Sequence, residues 1–350
     1  MDPEFRLFAG FHRGLGAVHD VDVVIVGGGP AGSTCAWKLG QAGVDVIVLD
    51  RASFPRTKLC AGWLTPEAAD DLELDIDSYP RSFMSFDKLH FHFKHFHFAK
   101  KTTQHSIRRF EFDDFLLKRS GAPVHEHKVK KIEKQNGSYI IDGLYRCKYL
   151  IGAGGTRCPV YREFFHDVNP RARLLQIATY EREFPYDWEN DECHLWFFGD
   201  GLPGYAWYVP KANGYINVSL GGKVEKIKKC GGRLQNYWNG FTKKLVGDAL
   251  VHDAEYEPTG YSYYLRGNVD VVRNGNALIV GDAVGLASVD MGEGIGPAVR
   301  SAILAADAIT ENSEYELKKL ARFSAPGICR NRGKQARVSA IADTKSLPMR

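Results

Sequence analysis

No stretch of this 350-residue sequence approaches the roughly 18 consecutive apolar residues that a membrane-crossing helix requires, which argues against a transmembrane segment. Charge of one sign is also lacking. Lys and Arg number 46 against 42 Asp and Glu, a net charge of only +4 spread along the chain, so no basic footprint for nucleic acid is present. Cysteine is sparse: seven residues, an odd number, with no CxxC and no His/Cys spacing of a zinc site. Neither a disulfide scaffold nor a metal centre is expected, and a reducing compartment is the simpler reading. Internal repeats and low-complexity tracts are absent. What remains is ordinary globular material, 44% hydrophobic and 25% charged, with mean hydropathy −0.29. Aromatic residues are plentiful, with 20 Phe, 16 Tyr and 6 Trp. Such content suits a large flat or apolar ligand, and equally a well-filled core. At roughly 150 residues per domain, the length predicts about two domains.

Residues 1–20 are read as a leader outside the fold, with Met1–Phe5 resembling a cloning remnant and no apolar run or small-residue cleavage site of a signal peptide. Order begins at Val21. The β-branched run Val21–Val26 reads as a buried strand. Gly27-Gly28-Gly29-Pro30-Ala31-Gly32 follows, then a helical segment from Ser33 to Ala42 ending at Gly43, and a second apolar run, Val44–Leu49, closed by Asp50 and Arg51. Together they span about 30 residues, the length of a βαβ unit. In that setting Gly27-x-Gly29-x-x-Gly32 has a mechanical meaning. Gly27 permits a tight turn, Gly29 lets backbone approach a pyrophosphate, and Gly32 lets helix and strand pack closely. The helix N-terminus, from Ala31 onward, offers amide hydrogens, and with them partial positive charge, to phosphate. Asp50 stands where a carboxylate accepts hydrogen bonds from a ribose diol.

Three later segments extend the pattern. Arg109-Phe110-Glu111-Phe112-Asp113-Asp114-Phe115-Leu116 fits an R-x-x-F-D-x-x-L helix start; Ile151-Gly152-Ala153-Gly154-Gly155 fits a strand end; and Gly281-Asp282-Ala283-Val284-Gly285 follows the apolar run Ala277–Val280. The sequence Met291-Gly292-Glu293-Gly294-Ile295-Gly296 then opens an Ala-rich helix running to about Ile309. Between these segments the chain changes character. His90–Phe98 reads HFHFKHFHF, and residues 195–221 are rich in aromatics and glycine, period-two patterns of an antiparallel sheet. The expected fold class is therefore α/β, α+β overall: a Rossmann-like cofactor-binding domain assembled from 21–80, 105–165 and 266–325, an inserted antiparallel β-rich substrate domain from 81–104 and 166–265, and a C-terminal tail over 326–350.

These motifs, with Lys58-Leu59-Cys60-Ala61-Gly62 and Pro203-Gly204-Tyr205-Ala206-Trp207-Tyr208-Val209-Pro210-Lys211, resemble the FAD-dependent proteins of p-hydroxybenzoate-hydroxylase-like fold. Within that group the chain is most similar to the geranylgeranyl reductase family. The resemblance implies FAD as cofactor. Gly27, Gly29, Pro30, Ala31, Gly32, Asp50 and Arg51 then hold its ADP half, and Arg109, Gly154 and Asp282 the pyrophosphate and ribityl region. Gly292, Gly294 and Ile295 face the pyrimidine end of the flavin, and Cys60 and Ala61 approach its ring. Cys60, Tyr205, Trp207 and Tyr208 are expected on the substrate side, and Glu293 as a proton relay or as a helix-terminal acid. Two positions depart from the family pattern: Gly154-Gly155 replaces Asp-Gly, and Cys60-Ala61 replaces Cys-Gly.

The implied activity is flavin-mediated reduction of C=C bonds in an apolar, prenyl-like substrate. The rivals are a flavin monooxygenase or halogenase acting on an aromatic or a carrier- or peptide-bound substrate, and a non-catalytic flavin-binding protein. The electron donor is open between NAD(P)H and a redox protein. A cytoplasmic location is expected, with peripheral membrane contact left open and no nucleic-acid partner. For His90, His92, His95 and His97, strict alternation predicts His90 and His92 on one face and His95 and His97 on the other, so that a shared site would need a bulge at Lys94 and no metal is expected. Lys223, Lys226, Lys228 and Lys229 read as a solvated face.

Overall fold

A computed structural model of the chain describes residues 18–94, 96–253, 256–320 and 322. His95, residues 1–17 of the expected leader and the tail 326–350 lie outside the described residues. In chain order the elements are β1 (His19–Val26), α1 (Pro30–Gln41), β2 (Val46–Asp50), β3 (Trp63–Leu64), α2 (Pro66–Asp71), β4 (Phe83–Phe93), β5 (Phe96–Ile107), α3 (Arg109–Arg119), β6 (Val124–Glu126), β7 (Ile132–Gln135), β8 (Ser138–Ile141) and β9 (Tyr145–Gly152). There follow α4 (Pro159–Phe164), β10 (Gln176–Pro185), β11 (Cys193–Phe197), β12 (Gly204–Lys211), β13 (Tyr215–Lys223), α5 (Val224–Lys229), α6 (Leu234–Gly247), β14 (Thr259–Tyr264), β15 (Arg273–Asn274), β16 (Ala277–Ile279) and α7 (Ile295–Thr310).

Two sheets organise them. In the first, β16, β9, β1, β2 and β6 lie side by side and parallel, with β15 on one edge and the β7–β8 hairpin paired to β9. Val23, Val24 and Ile25 are fully buried, as an apolar run covered on both faces requires. β1 begins at His19, inside the segment read as leader. α1 begins at Pro30, earlier than the expected Ser33, because a proline's fixed φ and missing N–H suit the first helical position. α7 presents Ala298, Ala302, Ala305 and Ala306 to the core, small side chains that let it lie against α1.

The second sheet runs β14-β10-β13-β12-β11-β4-β5-β3 and is antiparallel except where β11 lies parallel to β4. Its strands alternate between two environments. Leu195, Trp207 and Val209 pack on the inner face with Leu89, Trp63 and Met291, whereas Trp196, Ala206 and Tyr208 pack on the outer face with Trp238, Phe241 and Leu245, three of them from α6. The inner face closes over the carboxyl ends of the parallel strands and leaves a cleft between the sheets. Among the described residues no helix is long and apolar enough to cross a membrane.

Candidate active site

The cleft has a volume of about 1290 Å³. That exceeds the roughly 300–1,000 Å³ of ordinary small-molecule pockets and leaves room for a dinucleotide with a second ligand. Its floor is the glycine loop. Gly27 has φ +113°, and a Cβ there would stand 2.5 Å from the Ala153 carbonyl oxygen. A Cβ on Gly32 would stand 1.8 Å from the Gly27 oxygen. Both glycines are demanded by the protein's own packing. Gly29 differs: the nearest atom to an added Cβ is Arg56 Nη2 at 3.6 Å, so this glycine keeps the cleft side of the loop open. No side chain caps α1 at Gly29, which leaves its first amide hydrogens for a ligand. Asp50 accepts from the Gly28 N–H at 2.7 Å through Oδ2 and from the Ala52 N–H at 3.0 Å through Oδ1. It thus braces the loop it was expected to serve only as a ribose acceptor, while it also lines the cleft.

Arg109 is buried at the start of α3 and is held in a two-pronged pair by Asp113, Nε to Oδ1 at 2.6 Å and Nη2 to Oδ2 at 2.8 Å. Burial opposes its charge, but the Asp113 carboxylate outweighs that and holds the guanidinium above its usual range. Asp113 also lies 3.6 Å from Arg56 Nη2, which reaches within 4.0 Å of Asp50. Two arginines therefore share one buried carboxylate at the middle of the cleft. Lys58 stands 3.2 Å over the Tyr261 ring. Burial, then the nearby Arg109, pulls its ammonium down to about 8.

At the other end, the α7 N-terminus points into the cleft. Gly292 has φ +62°, and a Cβ there would stand 2.5 Å from the Tyr263 hydroxyl. Glu293 accepts from the Gly296 N–H at 2.7 Å, so the helix-terminal role is realised, and burial pushes its carboxyl up to about 7. Asp282 accepts from the Tyr261 hydroxyl at 3.3 Å. The Tyr205 hydroxyl donates to the Met291 carbonyl, tying the aromatic strand to this turn.

The loop carrying Cys60 rests on buried polar side chains that period and motif did not reveal. The Cys60 N–H donates to Glu181, and the Cys60 carbonyl accepts from Asn217 Nδ2 at 3.3 Å. Asn217 also donates to Glu181 Oε1 at 3.1 Å, and its oxygen accepts from Trp207 Nε1 and Ser219 Oγ, each at 3.0 Å. Lys211, fully buried, donates to the carbonyls of Ala61 and, at 2.9 Å, Ile107. Burial pushes the Glu181 carboxyl up to about 7 and pulls the Lys211 ammonium down. The turn's positive φ, +63°, falls at Gly62, where a Cβ would stand 2.0 Å from the Ile107 oxygen. Glycine is thus needed at position 62, one residue after Ala61. The one signal for Glu181 and Lys211 was their parity, since Glu181 alternates with Ile177 and Thr179 along β10 and Lys211 with Trp207 and Val209 along β12.

The expected site residues line this one cleft with two exceptions. Gly32 packs beneath the loop. Tyr208 requires a correction: it is fully buried on the outer face of the second sheet, donates to the Asn190 carbonyl at 3.0 Å, and has no route to the cleft, because alternation turns it away when Tyr205 and Trp207 face inward. The histidine parity is also corrected. His92 pairs directly with His97 across the β4–β5 hairpin, and His90, His92, His97 and His194 stack on the outer face with no bulge at Lys94; the register shift falls at Phe86/Lys88 instead. Counting parity through a reversal fails because residues paired across a hairpin share a face. Burial and neighbouring imidazoles pull His92 down to about 4 and His194 to about 3, so both are neutral.

The residues present fit a flavin dinucleotide: an uncapped helix start over an open glycine, paired arginines at the middle, and a second helix start at the far end. The chain is an FAD-dependent oxidoreductase. A model described as FAD dependent oxidoreductase matches residues 22–107. The chain is 33% identical over 309 residues to an uncharacterized protein of Methanosarcina barkeri, covering 83% of this chain and 75% of that one. It is 28% identical to the menaquinone reductase of Mycobacterium tuberculosis (82% and 76% covered), and 25% identical to digeranylgeranylglycerophospholipid reductase 3 of Methanosphaera stadtmanae (88% and 82%). In structure it resembles a geranylgeranyl bacteriochlorophyll reductase-like protein from Thermoplasma acidophilum, with TM-score 0.70, 21% identity and coverage of 86% and 81%. The chain belongs to one family with the Methanosarcina barkeri protein, and the other relatives named here, at 28% and 25% identity, are reductases.

Proposed function

We propose that the protein reduces C=C bonds of an apolar, prenyl-like substrate. The observation that carries this reading is the wall opposite the glycine loop, where Leu89, Phe91, Leu195 and Trp207 present apolar surface to the same cleft. Bound FAD, once reduced by NAD(P)H or a redox protein, supplies the hydride. The chain's own residues do the rest. The aromatic wall excludes water and holds a hydrocarbon chain flat. Cys60, on a loop pinned by Asn217, Glu181 and Lys211, stands at the substrate side. Glu181 and Glu293, both held near neutral affinity for a proton, are suited to return one to the second carbon. The names of the menaquinone and digeranylgeranylglycerophospholipid reductases support the same substrate class.

The test is anaerobic. The protein with reduced FAD is mixed with a polyprenyl lipid, and flavin absorbance and lipid mass are followed. Reoxidation with gain of two hydrogens per product is expected. Product that forms only after air is admitted, with matching oxygen consumption, overturns the reading in favour of a monooxygenase or halogenase, and FAD that no donor reduces leaves a binding protein.

A further inference from the structure

The cleft's aromatic wall does not stop at the cleft. Tyr205, which lines it, stacks on Phe197 with ring centroids 5.1 Å apart. Phe197 lies 5.0 Å from Phe93 and 6.1 Å from Phe91. Phe91 stacks on Phe98 at 5.1 Å, and Phe98 meets Phe96 at 5.5 Å. The register explains the ladder: Phe91 pairs with Phe98 and Phe93 with Phe96 across the hairpin, and Phe197 sits beside Phe93, so one face collects every phenylalanine while the opposite face collects the histidines. The ladder climbs from buried to open. Phe96 is 63% exposed and Phe98 38%, and Phe198, next to Phe197, is 44% exposed. Lys94 stands exposed at the turn of the same hairpin, and Lys101 stands exposed on its histidine face. Neither sheet packing nor the flavin site uses this outer end, and a contiguous exposed aromatic patch on a soluble surface marks an interaction site.

We propose that Phe96 and Phe98 of the β4–β5 hairpin insert into the headgroup region of an anionic lipid bilayer, and that the phenylalanine ladder behind them is the path by which an apolar chain enters the cleft. Aromatic rings beside lysines are the chemistry that favours a membrane–water boundary: the rings enter the apolar margin and the ammonium groups meet anionic headgroups. The docking stands on the patch itself. The path rests on the apolar-substrate reading above.

The experiment uses the full chain loaded with FAD and sedimented with vesicles of phosphatidylcholine alone or mixed with phosphatidylglycerol. Binding is expected to the mixed vesicles, weaker to the neutral ones and reduced by salt. The paired substitution Phe96→Ser with Phe98→Ser is expected to lower partitioning at least about tenfold, since both apolar rings are then lost from the bilayer margin. Lys94→Gln with Lys101→Gln should lower it only for the anionic vesicles. Flavin titration and melting temperature of both variants are expected to match the parent, which excludes misfolding as the cause. Vesicle binding that is absent, or that survives loss of both phenylalanines, overturns the proposal. So does self-association in lipid-free solution that the phenylalanine variant abolishes, which would assign the patch to a second copy of the chain. Because sedimentation needs no turnover, failure of the reductase reading and failure of membrane docking are told apart. Activity of the phenylalanine variant on vesicle-borne against detergent-dispersed polyprenyl lipid then tests the path: a loss confined to vesicles is expected, and an equal loss on both overturns it.

Discussion

Glu181→Gln isolates the cost of keeping a carboxyl in the buried network beneath Cys60. Glu181 is only 4% exposed, and desolvation raises its carboxyl from 4.5 to about 7 against the smaller opposing pull of Asn217, the Cys60 N–H and the nearby lysines. The sign follows from proton counting. Between those two values the folded protein holds the proton and the unfolded chain has released it, so stability falls as pH rises through this window and the full penalty is present above about 7. At about 1.36 kcal/mol per unit the penalty is about 1 kcal/mol at pH 5 and about 3 kcal/mol at pH 7.5. Glutamine retains an oxygen to accept from Cys60 and Asn217 but cannot ionise. With an unfolding entropy of about 2.1 cal/mol/K per residue, 350 residues give about 0.7 kcal/mol/K. The variant should therefore melt about 1 °C above the parent at pH 5 and about 4 °C above it at pH 7.5. The assay is differential scanning calorimetry at fixed FAD concentration. Glu293, also raised to about 7, contributes the same slope to both proteins and cancels in the difference. A difference that stays constant across pH, or a variant less stable than the parent at pH 7.5, would refute the reasoning.

Gly29→Ala and Gly32→Ala should fail in different ways. The first meets nothing closer than Arg56 at 3.6 Å, so it should fold normally and bind FAD at least about tenfold more weakly, whereas the second collides with the Gly27 oxygen and should cost about 1–3 kcal/mol of stability with cofactor binding lost; flavin fluorescence titration beside urea unfolding separates the two. Tyr208→Phe removes one buried hydrogen bond to Asn190 far from the cleft, so the free energy of unfolding in urea should fall by about 1 kcal/mol with FAD affinity unchanged, and a change in that affinity would return Tyr208 to the site. Asp113→Asn leaves Arg109 and Arg56 without their shared carboxylate, so a net loss of stability of about 3 kcal/mol is expected by chemical denaturation, because breaking a buried pair strands the remaining charge.

What the sequence determined by itself is the part whose physics is local. The strand, glycine turn and helix around Gly27–Gly32, the acid at Asp50, and the turns at Gly281 and Gly292 are written in short-range patterns, because a positive φ, a helix start or a buried strand is a property of a few neighbouring residues. Their order along the chain sufficed for the cofactor and for most of the cleft. Alternation in β12 was equally legible, but alternation names two faces without saying which is inward. That choice was made by the pairing of β12 with β11 and β13 and by the closure of α6 over one side, and it turned Tyr208 into core. The histidine face was settled by a hairpin register, again a long-range pairing. Glu181 and Lys211 carried no signal beyond their parity, and Asn217 none, for the same reason. Each is an unremarkable polar residue in its own strand, and only the sheet brings three strands beneath one loop, where burial changes what a carboxyl and an ammonium do. The phenylalanine ladder follows suit: HFHF announces a two-faced strand, while the slope from cleft to surface exists only once Phe91, Phe98 and Phe197 stand side by side.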